Sequence, residues 1–188
     1  MRLLASETTN KKQQTPRLSH MVGVPVDAGP FEFVPRRRKA ANRQPVVWPP
    51  KSEITIRGGA AKAYADTSPE VMLSGPAETG KTFAVLYKVD TFLRSYPGAQ
   101  ATIARKVRAT MYGSVLKTYD RIRAIRGGVT PFGGQMPEWY DYPNGSRLWV
   151  AGLDNPGKAL SSERDMIYVN QAEELDVEDW ETLSTRAT

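Results

Sequence analysis

Residues 75–82 read Gly75-Pro76-Ala77-Glu78-Thr79-Gly80-Lys81-Thr82, two glycines five positions apart followed by Lys and Thr. This spacing suits the binding of a phosphate chain. Successive backbone N–H groups must wrap the anion, and glycines let the main chain curl closely enough to do so. A helix that begins at Lys81 would aim its positive end at the same phosphates. Lys81 would reach the β and γ phosphates, and the Thr82 hydroxyl would hold Mg²⁺. The expected ligand is therefore ATP with Mg²⁺, cradled by all eight residues.

Hydrolysis of ATP needs a second element, a strand that ends in acid. One group there orients the metal's water shell, and a Glu activates the attacking water. The apolar run Met166-Ile167-Tyr168-Val169 is the candidate strand, and it ends in Asn170-Gln171-Ala172-Glu173-Glu174. Asn170 can hydrogen-bond a metal-bound water but brings no charge. Gln171 can position water but cannot take its proton. Glu173 or Glu174 would then serve as the base. The alternative is that these acids open a helix, where they favour its positive end. Asp176, Glu178 and Asp179 fit that alternative better still.

The elements that must position these residues follow from periodicity. Residues 58–66 suit a short helix. Val71-Met72-Leu73 reads as a short buried strand running into the glycine turn. A helix is expected from Lys81 to about Tyr96, stopped by Pro97-Gly98. Its apolar residues form two faces: Val85, Val89 and Phe92, and Phe83, Leu86 and Leu93. The helix should therefore pack on both sides. Ala101 to Ala104 is a second strand, ending at Arg105-Lys106. Residues 109–125 repeat apolar positions at three- and four-residue steps, which predicts a third helix. Residues 138–142 and 147–151 alternate like strands around Pro143-Asn144-Gly145, a turn signal. Strands alternating with helices predict an α/β fold with a mostly parallel sheet flanked by helices.

Composition bounds the rest. The chain has 188 residues, no cysteine and a single histidine, His20. Disulfides, iron–sulfur clusters and thiolate zinc sites are excluded, and multi-His metal sites are not expected. No run approaches 18 apolar residues, and the N-terminus lacks the apolar core of a secretory signal, so a cytosolic protein is expected. Charge is uneven: residues 1–50 carry a net +6, residues 51–162 a net +6, and residues 163–188 a net −6. Residues 1–50 read as a basic, largely disordered arm around Arg36-Arg37-Arg38-Lys39, with Val46, Val47 and Trp48 anchoring its end. The globular domain is expected over 51–188. Arg105, Lys106, Arg108, Lys117, Arg121, Arg123 and Arg126 could follow nucleic-acid phosphates or simply form an exposed helix face. Trp139, Tyr140, Tyr142 and Trp149 could stack on bases, but core or cross-strand packing is the preferred reading.

The succession GPAETGKT, TIARKVRATMYGSVLKTY and EWYDYPNGSRLWVAGLDNPGKALSSERDMIYVNQAEEL resembles the ATPase part of a tailed-phage terminase large subunit, over roughly residues 55–188. The resemblance implies an additional-strand P-loop NTPase fold and an ATP-driven motor that moves double-stranded DNA into a prohead through its portal. It implies a homo-oligomeric ring, a terminase small subunit as partner, and the cytoplasm of an infected bacterial host as location. The family's second site maps onto Asn170 and Gln171, beside Glu173 and Glu174, with amides where the family has Asp-Glu. The family also uses a basic residue in the loop before this strand, acting on a neighbouring subunit's γ-phosphate; Lys158 and Arg164 are the candidates. The family's coupling motif and nuclease domain would lie beyond Thr188, so the chain is expected to be the front part of such a motor. Two rival functions stand beside this one: a helicase- or repair-type ATPase, and a nucleotide-binding assembly module without turnover.

Overall fold

In the computed structural model the described residues are 24–25, 54–154 and 162–187. The chain runs β1 (Val24–Pro25), β2 (Thr55–Ile56), α1 (Gly58–Ala65), α2 (Lys81–Ser95), β3 (Gln100–Arg105), α3 (Lys117–Arg126), β4 (Thr130–Phe132), β5 (Trp139–Asp141), β6 (Arg147–Gly152), β7 (Met166–Val169) and α4 (Val177–Ser184). The expected arm, with Val46, Val47 and Trp48, lies outside the described residues apart from β1, which pairs antiparallel with β2. No helix of the described residues is long and apolar enough to cross a membrane.

The main sheet has the order β4-β5-β6-β3-β7. β3 runs parallel to both β6 and β7, whereas β4–β5 and β5–β6 are antiparallel. The sheet is therefore mixed rather than mostly parallel. The cause is local, because a tight turn can only return the chain antiparallel. Gly145 takes φ 81, and Asn144 accepts from the Ser146 amide at 3.1 Å while donating to the Leu93 carbonyl at 2.7 Å. That last bond fastens the hairpin to the end of α2.

Alternation along the strands decides what each face meets. Ala101, Ile103, Leu148, Val150, Met166 and Tyr168 join the main core with α1, α2 and α3. Ala104, Ile167 and Val169 face the other way, toward Leu153, Leu175 and Leu183 of the α4 side. α2 lies between α1 and α3 and over the sheet, as its two apolar faces predict. Inside this core Asp90 is fully buried. It accepts from Tyr142 Oη at 2.7 Å, and pairs with Arg94 at 2.8 Å and Arg126 at 2.9 Å. Tyr119 and Tyr142 share a hydroxyl–hydroxyl hydrogen bond beside it, and burial holds both phenols well above the ordinary tyrosine range.

Two further expectations change. Val71-Met72-Leu73 is not a strand; Val71 is 43% and Met72 85% exposed. β-propensity cannot build a strand without a neighbour to satisfy its backbone, and no described residue pairs with this segment. The helix expected over 109–125 is α-helical only from Lys117. Before it come a 3₁₀ turn (Arg108–Met111) and a π turn (Tyr112–Leu116). Here the Arg105 guanidinium donates to the Thr110 carbonyl and to Ser114 Oγ, both at 3.3 Å. Ser114 Oγ also donates to the Thr110 carbonyl at 2.9 Å, so side chains compete with the regular i to i−4 ladder.

Candidate nucleotide site

The glycine turn between residues 75 and 80 is exposed and curls sharply. Gly75 has φ 149 and Gly80 φ 78, and Gly80 is the left-handed N-cap of α2. The first helical bond runs from the Ala84 amide to the Gly80 carbonyl at 3.0 Å. No side chain caps this helix and its first turn holds no acid, so its leading N–H groups face outward. Lys81 folds back over the loop. Its Nζ donates to the Gly75 carbonyl at 2.8 Å, to the Pro76 carbonyl, and to Thr79 Oγ1 at 3.2 Å. The residues present thus fit a polyphosphate: an uncapped 15-residue helix, a curled loop, and an ammonium placed across its mouth.

Two non-glycine residues among those described have positive φ: Glu78 at 61 in this loop, and Gln171 at 57 just beyond β7. Such backbone costs about 1–2 kcal/mol per residue and persists only where the surroundings impose it. After β7 the Asn170 amide still pairs with the Ala104 carbonyl at 2.8 Å, and Gln171 then turns the chain into a short 3₁₀ segment, Ala172–Glu174.

Tyr168 lies on the side of β7 that packs with α2. Tyr168 and Asn170 are two residues apart and so share the α2-facing side of the sheet. Asn170 Nδ2 donates to Tyr168 Oη at 3.1 Å. Burial raises the Tyr168 pKa above the ordinary phenol range, with the nearby Glu173 charge adding to it, so the group is a neutral hydroxyl at pH 7.

The two candidate bases have different surroundings. Glu174 is gripped by Arg105 in a two-pronged pair, Nε to Oε2 at 3.0 Å and Nη2 to Oε1 at 2.7 Å. Both of its oxygens accept from the Arg105 guanidinium. Glu173 is exposed and lies within electrostatic reach of Tyr168 Oη. Gln171 is exposed too. Asp176 and Asp179 form a reciprocal capping box at the start of α4, the helix-opening role that fits them best. Lys106 bonds both, at 3.0 Å to Asp176; its bonds to Asp179 and Asp176 raise its pKa, while the Asp179 backbone N–H, and after it Lys106, lowers that of Asp176.

Arg164 is not a free loop cation. It is 4% exposed, donates from Nε to Thr102 Oγ1 at 2.8 Å, and stacks 5.1 Å from the Trp149 ring centre. It precedes the start of β7, at the end of the strand away from Tyr168 and Asn170. Lys158 lies outside the described residues.

Most of the basic series is internally matched. Arg105 and Lys106 serve the acids above, Arg108 donates to the Pro137 carbonyl at 3.0 Å, Arg123 pairs with Asp120 and Arg126 with Asp90. Lys117 and Arg121 are exposed and form no ion pair among the described residues. Of the hairpin aromatics, Tyr140 and Tyr142 are buried, and Trp139 and Trp149 are a cross-strand pair 5.3 Å apart. Sequence reasoning passed over Arg105 as an anchor and Tyr168 as anything but core. The signal for Tyr168 was a hydroxyl two residues before Asn170 on one face of a strand.

No family model and no curated protein matches the chain. Among solved structures, the large terminase from a thermophilic bacteriophage superimposes with TM-score 0.52 at 10% identity, covering 61% of this chain and 30% of that one. Another crystal form of that terminase, in complex with ADP, gives TM-score 0.52 at 13% identity, covering 61% and 29%. The chain thus spans less than a third of the length of these neighbours. At such identities the likeness is one of fold, and the described residues form a mixed α/β domain, a five-stranded sheet flanked by helices, of the terminase-like kind.

Proposed function

We propose that this chain is the ATP-binding part of a P-loop motor of the additional-strand type, one that hydrolyses ATP to drive double-stranded DNA into a prohead. The observation that carries the reading is the arrangement of two strained, polar segments about α2. The loop of residues 75–82 leads into the uncapped N-terminus of α2, and α2 packs against β7, whose end carries Asn170 and Gln171. The terminase-like fold supports the choice of motor over other P-loop ATPases.

In this reading Gly75 to Thr82 bind the triphosphate, and Lys81 leaves its loop carbonyls to neutralise the β and γ phosphates. Mg²⁺, held by Thr82 with Asn170 nearby, supplies positive charge against the phosphate oxygens. Glu173 takes the proton of the attacking water, and Gln171 helps to orient that water. Most of the benefit comes from positioning and charge neutralisation. DNA, the portal, a small terminase subunit and further copies of the chain in a ring are the partners of such a motor, in the cytoplasm of an infected host. A trans-acting cation falls to Lys158 in this scheme, because Arg164 is committed inside its own chain.

A second reading keeps the binding and drops the turnover. Amides at 170 and 171, together with a Glu174 tied to Arg105, favour it. One experiment separates the two. Calorimetry with Mg²⁺ and a non-hydrolysable ATP analogue should show binding that Lys81→Ala weakens by about 100-fold or more, a loss of roughly 2.7 kcal/mol. Steady-state phosphate release that vanishes in the same variant supports the motor. Binding without release supports the module, and no binding by the folded wild-type chain overturns both.

A further inference from the structure

α4 is covered on one side by the rest of the domain. Leu183 is buried there in a small cluster with Ala104 and Leu153, and Asp179 is held by Lys106 and by the capping box. The opposite side carries Val177, Trp180 and Glu181, three and four positions apart and so neighbours on one helix face. Val177 is 73% and Trp180 42% exposed. Glu181, and Glu178 beside it, are exposed and form no ion pair among the described residues. An aromatic and an aliphatic side chain framed by charge is the composition of a small contact surface, with an apolar centre and a polar rim.

α3 presents the complement. Its inner side, Tyr119 and Ile122, belongs to the main core. On its outer side Lys117 and Arg121 stand one turn apart, and the exposed Tyr112 of the π turn precedes them. Most other cations of the basic series are matched inside the chain, and these two form no ion pair among the described residues. Two cations with an aromatic ring thus answer two acids with Trp and Val. α3 packs on the main-core face of the sheet and α4 on the other, so one chain cannot bring its own two rows together. A second copy can, and it leaves each copy with one row still open.

We propose that α4 of one copy docks on the α3 row of a second copy, with Trp180 and Val177 against Tyr112, and Glu178 and Glu181 facing Lys117 and Arg121. The two rows are different surfaces on opposite faces, so the contact is head-to-tail and repeats into a ring or an open row of copies. Two short helical rows bury less than a standard interface of about 1,600 Å², so the association is weak and sensitive to salt. This gives a place to the further copies that the motor reading calls for; it rests on that reading for their purpose and not for the contact itself.

The test is sedimentation velocity of the whole chain over a concentration series, without nucleotide, in about 0.05 M and about 0.5 M salt. Wild-type protein should grow past the dimer with concentration in low salt and return to monomer in high salt. Trp180→Ala should weaken the association about tenfold or more. Two charge reversals, each confirmed as folded by circular dichroism, sharpen the test. Lys117→Glu with Arg121→Glu makes both rows acidic, and Glu178→Lys with Glu181→Lys makes both basic, so each variant should be monomeric alone. Mixed together they should associate again, because each row then meets its complement on the other variant. Wild-type protein that stays monomeric in low salt overturns the proposal, as does association that the reversals leave intact, or a mixture that stays monomeric. A monomeric wild-type chain that instead binds mixed-sequence duplex DNA, and loses it in Lys117→Glu with Arg121→Glu, assigns the α3 row to a polyanion and also overturns it. Failure of the motor reading is read separately, as protein that associates but binds no nucleotide.

Discussion

Asp90 and Glu174 each hold arginine, in opposite settings. Asp90 has no exposed surface, two arginines and a tyrosine hydroxyl around it, and every neighbour fixed on α2, α3 or the hairpin. Glu174 lies at the rim of the sheet with its side chain 35% exposed, holding one arginine and standing next to an acid with no such grip. Burial makes the first cluster a matter of stability, since a charge deprived of its partner there has no water to turn to. At the second, partial exposure lets water take the place of a lost partner, so the same kind of pair matters less there. The strained Gln171 is three residues before Glu174.

The largest test of this contrast is Asp90→Ala. It should cost about 3–5 kcal/mol in chemical denaturation, because Arg94 and Arg126 keep their charge in the core. A loss under about 1 kcal/mol would mean that the network is not the clamp its burial suggests. Next comes the paired comparison at the rim. Glu174→Gln should cost about 1–2 kcal/mol of stability, reduced by solvent screening, through the loss of its charged grip on Arg105. Glu173→Gln should leave stability within about 0.5 kcal/mol but slow phosphate release by about 100-fold. Reversal of the two would exchange their roles. The smallest effect belongs to Lys106 and its two aspartates. Asp176 has a lowered pKa, so its contribution is full above the ordinary aspartate range and fades as pH falls through its folded value. Lys106 has a raised pKa, so its share fades only at alkaline pH above the ordinary lysine range. Melting temperature followed from about pH 6 down to about pH 3 should fall less steeply in Lys106→Met than in wild type.

The sharp turn of residues 75–80 and the start of α2 at Lys81 were legible because they depend on local backbone. Two glycines, a lysine and a helix start need only each other, and they lie within one short stretch. The helix at 81–95 and the strands at 100–105, 147–152 and 166–169 were legible for a similar reason, since periodicity reports which face is buried. The Val71-Met72-Leu73 segment misled because a strand is defined by its partner, which no single segment contains. The π turn before Lys117 was invisible too, because it goes with side-chain hydrogen bonds from Arg105 at the end of β3, which apolar periodicity does not report.

What the amino-acid order decided alone is thus the glycine turn before α2, the hairpin turn and the alternation of elements, all set by interactions a few residues long. The pairing of Glu174 with Arg105, the withdrawal of Arg164 and most of the basic series into internal contacts, and the bond from Asn170 to Tyr168 were decided by the tertiary structure. The first two depend on which side chain meets which across long separations, 69 residues for Arg105 and Glu174 and 62 for Arg164 and Thr102. Only the packing of β3, β7 and α2 against one another closes such distances.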